Sequence, residues 1–510
     1  MSKRFYLTTA IAYPNGKPHM GHAYEAITTD VIARFKRLDG FDVRFLTGTD
    51  EHGLKISQAA CNAGTTPRQY VDATSQPFID LDRQLGISFD RFIRTTDEDH
   101  KALCQALWQR MAANGDLYLG KYEGWYSVRD EAYFDETELT VAEDSEGRPV
   151  KLSPQGAPVE WTVEESWFFK LSGYGDKLLA LYESNPDFVQ PLSRLNEMRS
   201  FVAGGLQDLS MSRTSFDWGV PVPGSPGHVM YVWVDALANY LTGAGGLDGE
   251  WWPADLHVIG KDVVRFHAIY WPAFLLSAGL ALPKQVFGHG FLLNRGEKMS
   301  KSLGNVVDPA AMAERFGVDR LRWFLCREIA FGDDGSYSDE AIVERTNADL
   351  ANGIGNLAQR ALAMVAKNRG GVMPEPGQGG DAEAELHERF VILTEAWFAA
   401  MNALQLHRAL EAAMALVTAA NGYFADSAPW ALAKTDPARM AQVLGTTLDA
   451  TRRIVMLVQP FIPESAAKLL DLLGVAAEAR NFNALDTAVA AGTQLPAPQG
   501  VFPRLALEAV

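Results

Sequence analysis

The sequence is poor in cysteine and contains no long apolar run. Only three cysteines, Cys61, Cys104 and Cys326, occur among 510 residues, and their wide spacing excludes a disulfide framework and a thiolate metal site. This scarcity favours a reducing compartment, the cytoplasm. Because no run of 18 apolar residues occurs, we predict no membrane span. The first residues show neither the apolar core nor the cleavage site of a secretory signal.

Basic residues are also in deficit. The chain has 46 Lys and Arg against 63 Asp and Glu, a net charge of −17. General nucleic-acid-binding proteins are basic, so this class is disfavoured. The charge is compatible with a tRNA partner, because single-stranded loops are recognised largely through stacking and base edges. The length predicts three or four structural units.

The stretch YPNGKPHMGH, residues 13–22, is the first candidate site. The apolar run at 5–12 predicts a buried strand, and the residues after Gly21 have the spacing of an amphipathic helix. His19 and His22 therefore lie where a strand passes into a helix, and free backbone N–H groups favour an anion there. Imidazole donors suit negative charge that grows on a phosphate. The alternative is that these histidines are structural or cap the helix.

The second candidate site is KMSKS, residues 298–302. Lys298 and Lys301 lie between Gly296 and Gly304, so they form a cationic segment with freedom to move. Alone, such a segment is more often an exposed basic loop. The two motifs together, in this order, indicate a polyphosphate site.

The order of strand and helix patterns predicts an α/β fold. We expect a Rossmann-like doubly wound parallel sheet, split by a β-rich insertion and followed by an all-α helical bundle. The expected units are the first half of the sheet at 1–115, an inserted connective module at 116–225, the second half of the sheet at 226–304, a connecting module at 305–345 and the bundle at 346–510.

HMGH and KMSKS resemble the two signatures of class I aminoacyl-tRNA synthetases. The surrounding residues, from about Phe5 to about Pro463, resemble methionyl-tRNA synthetases; Met20 stands where that family usually has another aliphatic residue. The resemblance implies that ATP, brought with Mg²⁺, activates L-methionine to methionyl-adenylate and pyrophosphate. Methionine would then pass to the 3′ end of tRNA(Met), and residues 346–510 would bind the anticodon.

The resemblance also implies roles for single residues. For catalysis and ATP binding it selects His19, His22, Arg213, Gly260, Asp262, Lys298 and Lys301. For methionine it selects Ile11, Tyr13, Asp50, Trp233, Ala236, Leu237, Tyr240, Val263 and His267, with Asp50 at the α-ammonium group. For the anticodon it selects Asn356, Arg360 and Trp430.

Several of these positions are also compatible with ordinary structural roles when the residue patterns are taken alone. Asp262 could cap a helix, and Arg213 could belong to a surface ion pair. Asn356 and Arg360 could be an ordinary pair on a helix surface. Trp430 and the aromatic residues assigned to the methionine pocket could be ordinary core.

The insertion departs from the family pattern. Family members often carry a zinc knuckle there, built from cysteine pairs. In this sequence such a pair would fall near Ser127 and Asp130, and residues 116–225 contain no cysteine. We therefore predict no structural zinc and no other metal site. Some members append a dimerising C-terminal barrel, for which no chain remains here, so we expect a monomer.

Three groups of proteins compete with this interpretation. Leucyl-, isoleucyl- and valyl-tRNA synthetases carry a larger editing insertion, and cysteinyl-tRNA synthetases need a zinc site for the substrate thiol. Small nucleotidyltransferases share the paired histidines but are shorter and lack a bundle. A non-catalytic RNA-binding relative would not need intact His19, His22, Lys298 and Lys301.

Overall fold

The computed structural model describes residues 3–129, 132–143, 147–294, 296–298, 307–377 and 380–506, with the backbone alone at positions 122, 132, 133 and 298. The first elements are β1 (Arg4–Thr8), α1 (Met20–Leu38), β2 (Asp42–Thr49), α2 (Leu54–Asn62), α3 (Pro67–Gln84), β3 (Arg91–Arg94) and α4 (Glu98–Ala113). There follow β4 (Leu117–Ser127), β5 (Ala132–Phe134), β6 (Thr140–Glu143), β7 (Pro149–Leu152), β8 (Glu160–Phe169), α5 (Gly175–Ser184), β9 (Val189–Gln190), α6 (Leu192–Ala203), β10 (Leu209–Ser210), β11 (Ser212–Arg213) and β12 (Val229–Met230).

The next elements are α7 (Val232–Gly243), β13 (Leu256–Gly260), a 3₁₀ turn (Lys261–Val263), a π-helical turn (Phe266–Tyr270), α8 (Trp271–Ser277), β14 (Val286–His289), β15 (Leu292–Asn294), β16 (Glu297–Lys298), α9 (Pro309–Phe316), α10 (Val318–Glu328) and β17 (Gly335–Tyr337). The last are α11 (Asp339–Arg345), a π-helical segment (Thr346–Gly355), α12 (Asn356–Arg369), α13 (Asp381–Asn402), α14 (Leu406–Asp426), α15 (Pro429–Thr435), α16 (Pro437–Val458) and α17 (Pro463–Leu472). No helix of the described ranges is long and apolar enough to cross a bilayer.

The main sheet has six parallel strands in the order β3-β2-β1-β13-β14-β9. Strand β1 lies between β2 and β13, with Leu7 opposite Phe45 on one side and Leu256 on the other. Strands β2 and β3 follow β1 on one side, whereas β13, β14 and the earlier strand β9 lie on the other. This reversal confirms the predicted doubly wound parallel sheet and opens a crevice beside β1.

Helix α1 packs one apolar face against the sheet. Ala23, Ile27, Val31 and Phe35 repeat every four residues, and all four are fully buried. This spacing is the one that produces a single apolar stripe on a helix. The direction of α1, and therefore of its first turn, is set by this packing.

The insertion forms a separate antiparallel sheet in the order β10-β8-β4-β5. Its long ribbon, β4 with β8, pairs continuously from Leu117 opposite Phe169 to Tyr126 opposite Glu160. One short strand of the expected insertion behaves differently: β9 pairs with β14 and forms an edge of the main sheet. Two residues carry too little periodicity for the sequence to predict such a strand.

The C-terminal part of the chain is a helical bundle, as the sequence predicted. It packs against the sheet domain around Trp397, a fully buried residue whose ring meets that of Phe35 edge-on, with ring centroids 5.6 Å apart. One hydrophobic core therefore continues from α1 into the bundle.

A buried ion pair lies within that core. The guanidinium of Arg322, in α10, is 2.7 Å from the carboxylate of Asp30, in α1, and both side chains are fully buried. Arg322 also donates to the carbonyl oxygens of Pro460 and Phe461, between α16 and α17. Burial opposes the charge of Asp30, but Arg322 and Arg34 outweigh it and lower the pKa of this carboxyl.

We expect Arg322→Met to destabilise the protein by about 3–5 kcal/mol, because the change leaves the Asp30 carboxylate buried without its main partner. The free energy of unfolding, measured in urea, checks this. Arg389→Met is the matched control: its pair with Glu385 is exposed on both sides, so its loss is expected to cost less than about 1 kcal/mol. Equal losses in the two variants would contradict the structural role of the buried pair.

Candidate active site

A cavity of about 550 Å³ opens at the carboxyl ends of β1, β2, β13 and β14. It lies in the crevice where the strand order reverses, which is where doubly wound sheets bind ligands. Its wall brings together these sequence-predicted residues: Ile11, Tyr13, His19, His22, Asp50, Trp233, Gly260, Asp262 and Val263.

The two histidines occupy the first turn of α1. His19 is the N-cap residue, and its Nδ1 accepts a hydrogen bond from the backbone N–H of Gly21 at 3.1 Å. Nδ1 of His22 accepts from the backbone N–H of His19, also at 3.1 Å. The rings stack with centroids 3.8 Å apart. Both histidines therefore cap the helix, as the alternative interpretation held, and the capping hydrogen bonds fix the orientation of their rings.

This capping geometry sets the tautomer of both rings. Because each Nδ1 accepts a hydrogen bond, a neutral ring carries its proton on Nε2. Burial and, to a smaller extent, the charge of His19 lower the pKa of His22 to about 3. His22 is therefore a neutral donor at physiological pH. A Cβ at Gly21 would lie 2.9 Å from Cε1 of His19, so the close approach of the rings to the helix requires glycine there.

Glu25 and His289 form a polar contact in the cavity wall that the sequence did not predict. Nε2 of His289, at the end of β14, is 2.8 Å from a carboxylate oxygen of Glu25, one turn along α1. Nδ1 of His289 lies 2.8 Å from the carbonyl oxygen of Gly290. Burial disfavours a charge on His289, but the hydrogen bond and charge of Glu25 outweigh it and raise the pKa of His289.

Gly260 and Asp262 lie where β13 ends in the cavity. The helical turns that follow have Gly260 and Arg265 as their N-cap residues. Asp262 therefore occupies neither N-cap position, and the capping alternative for this carboxylate is wrong. Its position at a strand end in the crevice is that of a ribose-binding carboxylate in nucleotide-binding sheets.

The candidates for methionine binding form two layers. Ile11, Tyr13, Asp50, Trp233 and Val263 belong to the cavity wall. The ring of Trp233 stacks on that of Phe266, with centroids 3.7 Å apart and planes 4° from parallel. This aromatic partner was not predicted from the sequence.

The remaining methionine candidates, Ala236, Leu237, Tyr240 and His267, are buried and lie behind that wall. The hydroxyl of Tyr240 is 2.6 Å from Nε2 of His267, whose Nδ1 is 2.9 Å from the carbonyl oxygen of Val263. Burial lowers the pKa of His267 to about 4, so this ring is neutral. These residues support the wall from behind.

Arg213 lies in β11 and is 2% exposed. Its Nε is 3.7 Å from a carboxylate oxygen of Glu164, so the ion pair considered from the sequence exists but is buried and not on the surface. Its Nη1 donates to Ser210 and to the carbonyl oxygen of Ser212, and its guanidinium lies 4.6 Å from the ring centre of Tyr231. Within the described part of the chain, Arg213 is not one of the residues of the cavity wall.

The KMSKS motif lies almost entirely outside the described residues. Lys298 ends β16, which pairs with β15, and its side chain is not described. Lys301 lies outside the described ranges. The assignment of both lysines to phosphate binding stays a prediction.

Three further residues of the cavity wall had no signal in the sequence: Phe78 and Asp82 of α3, and Arg129 beyond β4. Burial raises the pKa of Asp82 to about 7, and the charges of Asp30 and Glu25 add to this. These residues reach the cavity from elements distant in sequence, so only the packing reveals them.

The anticodon candidates lie together on the bundle. Arg360, one turn after Asn356 in α12, has its guanidinium 5.5 Å from the ring centre of Trp430 and 4.8 Å from that of Phe424. Trp430 is 49% exposed, so it is not the core tryptophan considered from the sequence. An exposed ring beside a guanidinium is suited to stacking on an unpaired base.

Within the described ranges, no group of three or more His, Cys, Asp or Glu side chains is arranged to hold a metal ion. The prediction that the insertion holds no structural zinc stays a prediction, to be settled by metal analysis of the purified protein.

Comparison with known proteins extends these observations. A family model of class I (M) tRNA synthetases matches residues 5–362, and a model of the anticodon-binding domain of methionyl tRNA ligase matches residues 373–510. Methionine–tRNA ligases of Mesorhizobium japonicum and Brucella suis are 60% and 58% identical, each match covering 98% of both chains. A solved structure of Mycobacterium tuberculosis methionyl-tRNA synthetase in complex with methionyl-adenylate superposes with a TM-score of 0.95, at 57% identity, covering 98% of this chain and 100% of that one.

These matches cover both the sheet domain and the bundle, and they make the protein a class I aminoacyl-tRNA synthetase. Within that class, the chain belongs to the methionyl-tRNA synthetase family. Its activity is that of a methionine–tRNA ligase.

The low pKa of His22 predicts a pH dependence of stability. Its pKa is about 3 in the folded protein, against 6.5 for the ordinary side chain, so protons favour the unfolded state and stability falls as pH is lowered from about 6.5 towards 3. His22→Gln keeps a side-chain acceptor at this position of the first turn but does not titrate. We expect the unfolding free energy of this variant to fall less over the same window. Identical slopes in the variant and the wild type would contradict the low pKa.

Proposed function

We propose that both steps of the ligase reaction occur in the cavity beside α1. In the first step a carboxylate oxygen of methionine bonds to the α-phosphorus of ATP, and the bond from that phosphorus to the bridging oxygen of pyrophosphate breaks. In the second step a hydroxyl of the terminal ribose of tRNA bonds to the acyl carbon, and AMP leaves. The observation that carries this proposal is the stacked pair His19 and His22 at the start of α1, in the crevice of the sheet.

In this proposal the two imidazoles stabilise the α-phosphate in the transition state. Their Nδ1 atoms accept from backbone N–H groups, so a neutral ring donates through Nε2–H. Fixed donors need no reorganisation when charge develops, and each is worth about 10²–10³ in rate. The N-terminus of α1 adds the favourable end of its dipole.

ATP would occupy the side of the cavity formed by β13 and β14. Asp262 accepts from the ribose hydroxyls, and Gly260 allows the nucleotide to approach the backbone. Lys298 and Lys301 bind the β- and γ-phosphates, and Arg213 assists catalysis, as the resemblance implies. Mg²⁺ enters with ATP as part of the substrate complex, held mainly by phosphates and water.

Methionine would occupy the side formed by β1, β2 and α7. Asp50 binds the α-ammonium group, while Ile11, Tyr13, Trp233 and Val263 contact the side chain. Sulfur packs favourably on aromatic rings, and Trp233 offers such a ring in the wall. Ala236, Leu237, Tyr240 and His267 fix the shape of this pocket from behind.

The bundle would read the anticodon through Asn356, Arg360 and Trp430. Residues 346–510 contain 12 Lys and Arg against 16 Asp and Glu, a balance of −4. Bulk attraction therefore contributes little, and stacking with base-edge contacts must supply the affinity. We also propose a monomer in the cytoplasm, which the sequence favours and which sedimentation and cell fractionation would check.

A substitution at His19 separates capping from catalysis. His19→Asn retains an N-cap acceptor but removes the imidazole, whereas His19→Ala removes both and costs about 0.5–2 kcal/mol of stability. We expect both variants to lower methionine-dependent ATP–pyrophosphate exchange by about 10²–10³-fold. His387→Ala, which alters an exposed histidine of the bundle, is the matched control. Wild-type exchange in His19→Asn would show that His19 only caps the helix.

Trp430→Ala tests the anticodon surface. Loss of one stacking ring costs about 1–3 kcal/mol, so we expect KM for tRNA to rise about 5- to 150-fold while exchange without tRNA is unchanged. Trp430→Phe should recover part of the loss. Ile392→Ala removes another exposed apolar side chain of the bundle and should have no effect. If Trp430→Ala lowered ATP–pyrophosphate exchange as much as it lowered tRNA charging, the anticodon role would be contradicted.

A further inference from the structure

The segment after β2, residues 50–53, contributes Asp50 to the cavity wall, and its next two residues, Glu51 and His52, are not part of the described wall. Asp50 lines the cavity, whereas Glu51 and His52 point away and are 0% and 2% exposed. Buried charged groups need partners. The partners of these two residues show what holds Asp50 in place.

Glu51 ties the segment to the sheet domain. Its carboxylate accepts from the hydroxyls of Thr49 and Ser75, each at 2.7 Å, and pairs with Nε of Arg94 at 2.6 Å. A further hydroxyl, of Thr96, lies 2.5 Å from its second oxygen. One side of the segment is therefore fixed independently of the methionine pocket.

His52 ties the other side of the segment to α7. Its Nδ1 lies 2.9 Å from a carboxylate oxygen of Asp235, a fully buried residue two positions after Trp233. Burial alone would raise the pKa of Asp235, but His52 and His100 outweigh it and lower the pKa. An ionised carboxylate only accepts hydrogen bonds, so Nδ1 of His52 carries the proton.

Two further contacts converge on His52. The hydroxyl of Tyr13, in the cavity wall, donates to the carbonyl oxygen of His52 at 3.2 Å. The ring of Trp218 lies edge-on to that of His52, with centroids 5.4 Å apart, and its Nε1 donates to the carbonyl oxygen of Glu51 at 2.7 Å. His52 therefore contacts both α7, through Asp235, and the segment that follows β1, through Tyr13.

We propose that His52 and Asp235 are a positioning pair that sets the distance between the carboxylate of Asp50 and the ring of Trp233, and thereby the length of the amino acid that the cavity accepts. The inference rests on the proposed roles of Asp50 at the ammonium group and Trp233 at the side chain. Neither member of the pair lines the described cavity wall. The pair acts by joining the two elements that do, and small displacements of binding groups have large effects on rate.

The test compares methionine with ethionine, which is longer by one methylene, in ATP–pyrophosphate exchange. One methylene is worth about 10- to 200-fold in discrimination when a pocket is well fixed. In His52→Ala we expect KM for methionine to rise about tenfold or more, with KM for ATP within about twofold. The preference for methionine over ethionine should fall by about tenfold. His52→Asn keeps an N–H near the position of Nδ1. This variant should therefore retain most of the affinity for methionine and most of the preference for methionine over ethionine.

His100→Ala is the matched control. His100 is fully buried and lies 3.8 Å from the other oxygen of Asp235, but it belongs to α4 and is not part of the Asp50 segment. Its loss should leave the methionine preference unchanged. If His52→Ala does not fold, Asp235→Asn, which keeps the shape of the side chain, replaces it and should also reduce the preference.

If His52→Ala or Asp235→Asn keeps the preference for methionine over ethionine, as His100→Ala is expected to, the pair only stabilises the fold and the inference is overturned. Asp50→Asn is measured alongside. If that variant raises KM for methionine while the pair's variants keep the preference, only the positioning pair is overturned. If Asp50→Asn leaves KM for methionine unchanged, the proposed ammonium site is wrong and the inference falls with it.

Discussion

The buried ion pair of Asp30 and Arg322 holds the two halves of this molecule together. It lies inside a continuous core and connects α1 with the loop between the last two long helices of the bundle. Helix α1 begins at the paired histidines, eleven residues or about 16 Å from Asp30. Because a helix is stiff over that length, fixing α1 at Asp30 also fixes where His19 and His22 point. The geometry of this turn thus depends on a contact about 16 Å away along the helix.

Burial limits the charge around the cavity of this acidic protein. With a net charge of −17, the chain would repel ATP if the cavity carried several full negative charges. Burial keeps His22 a neutral donor, and it raises the pKa of Asp82 to about 7, which removes part of the negative charge at the wall. The positive end of the α1 dipole favours negative charge without any charged side chain.

Local patterns predicted much of the fold and part of the site. The parallel sheet, the bundle and the wall residues His19 and His22 follow from motifs or periodicity that can be recognised locally, whereas Asp50 and Trp233 were selected by the resemblance to the family. What could not be predicted are pairings between distant segments. The contact of Glu25 with His289 spans 264 positions, and each partner alone is an ordinary polar residue. Only packing brings such residues together.

The edge strand β9 carries a consequence for the evolution of this chain. A division of the sequence by composition makes the stretch 116–225 an independent module, but β9 covers the backbone of β14. A shortened chain that lost the whole stretch would uncover a row of unpaired donors and acceptors, and such bare edges recruit strands from other molecules. Lineages that trim this module must therefore either retain its second half or evolve a new cover for the sheet.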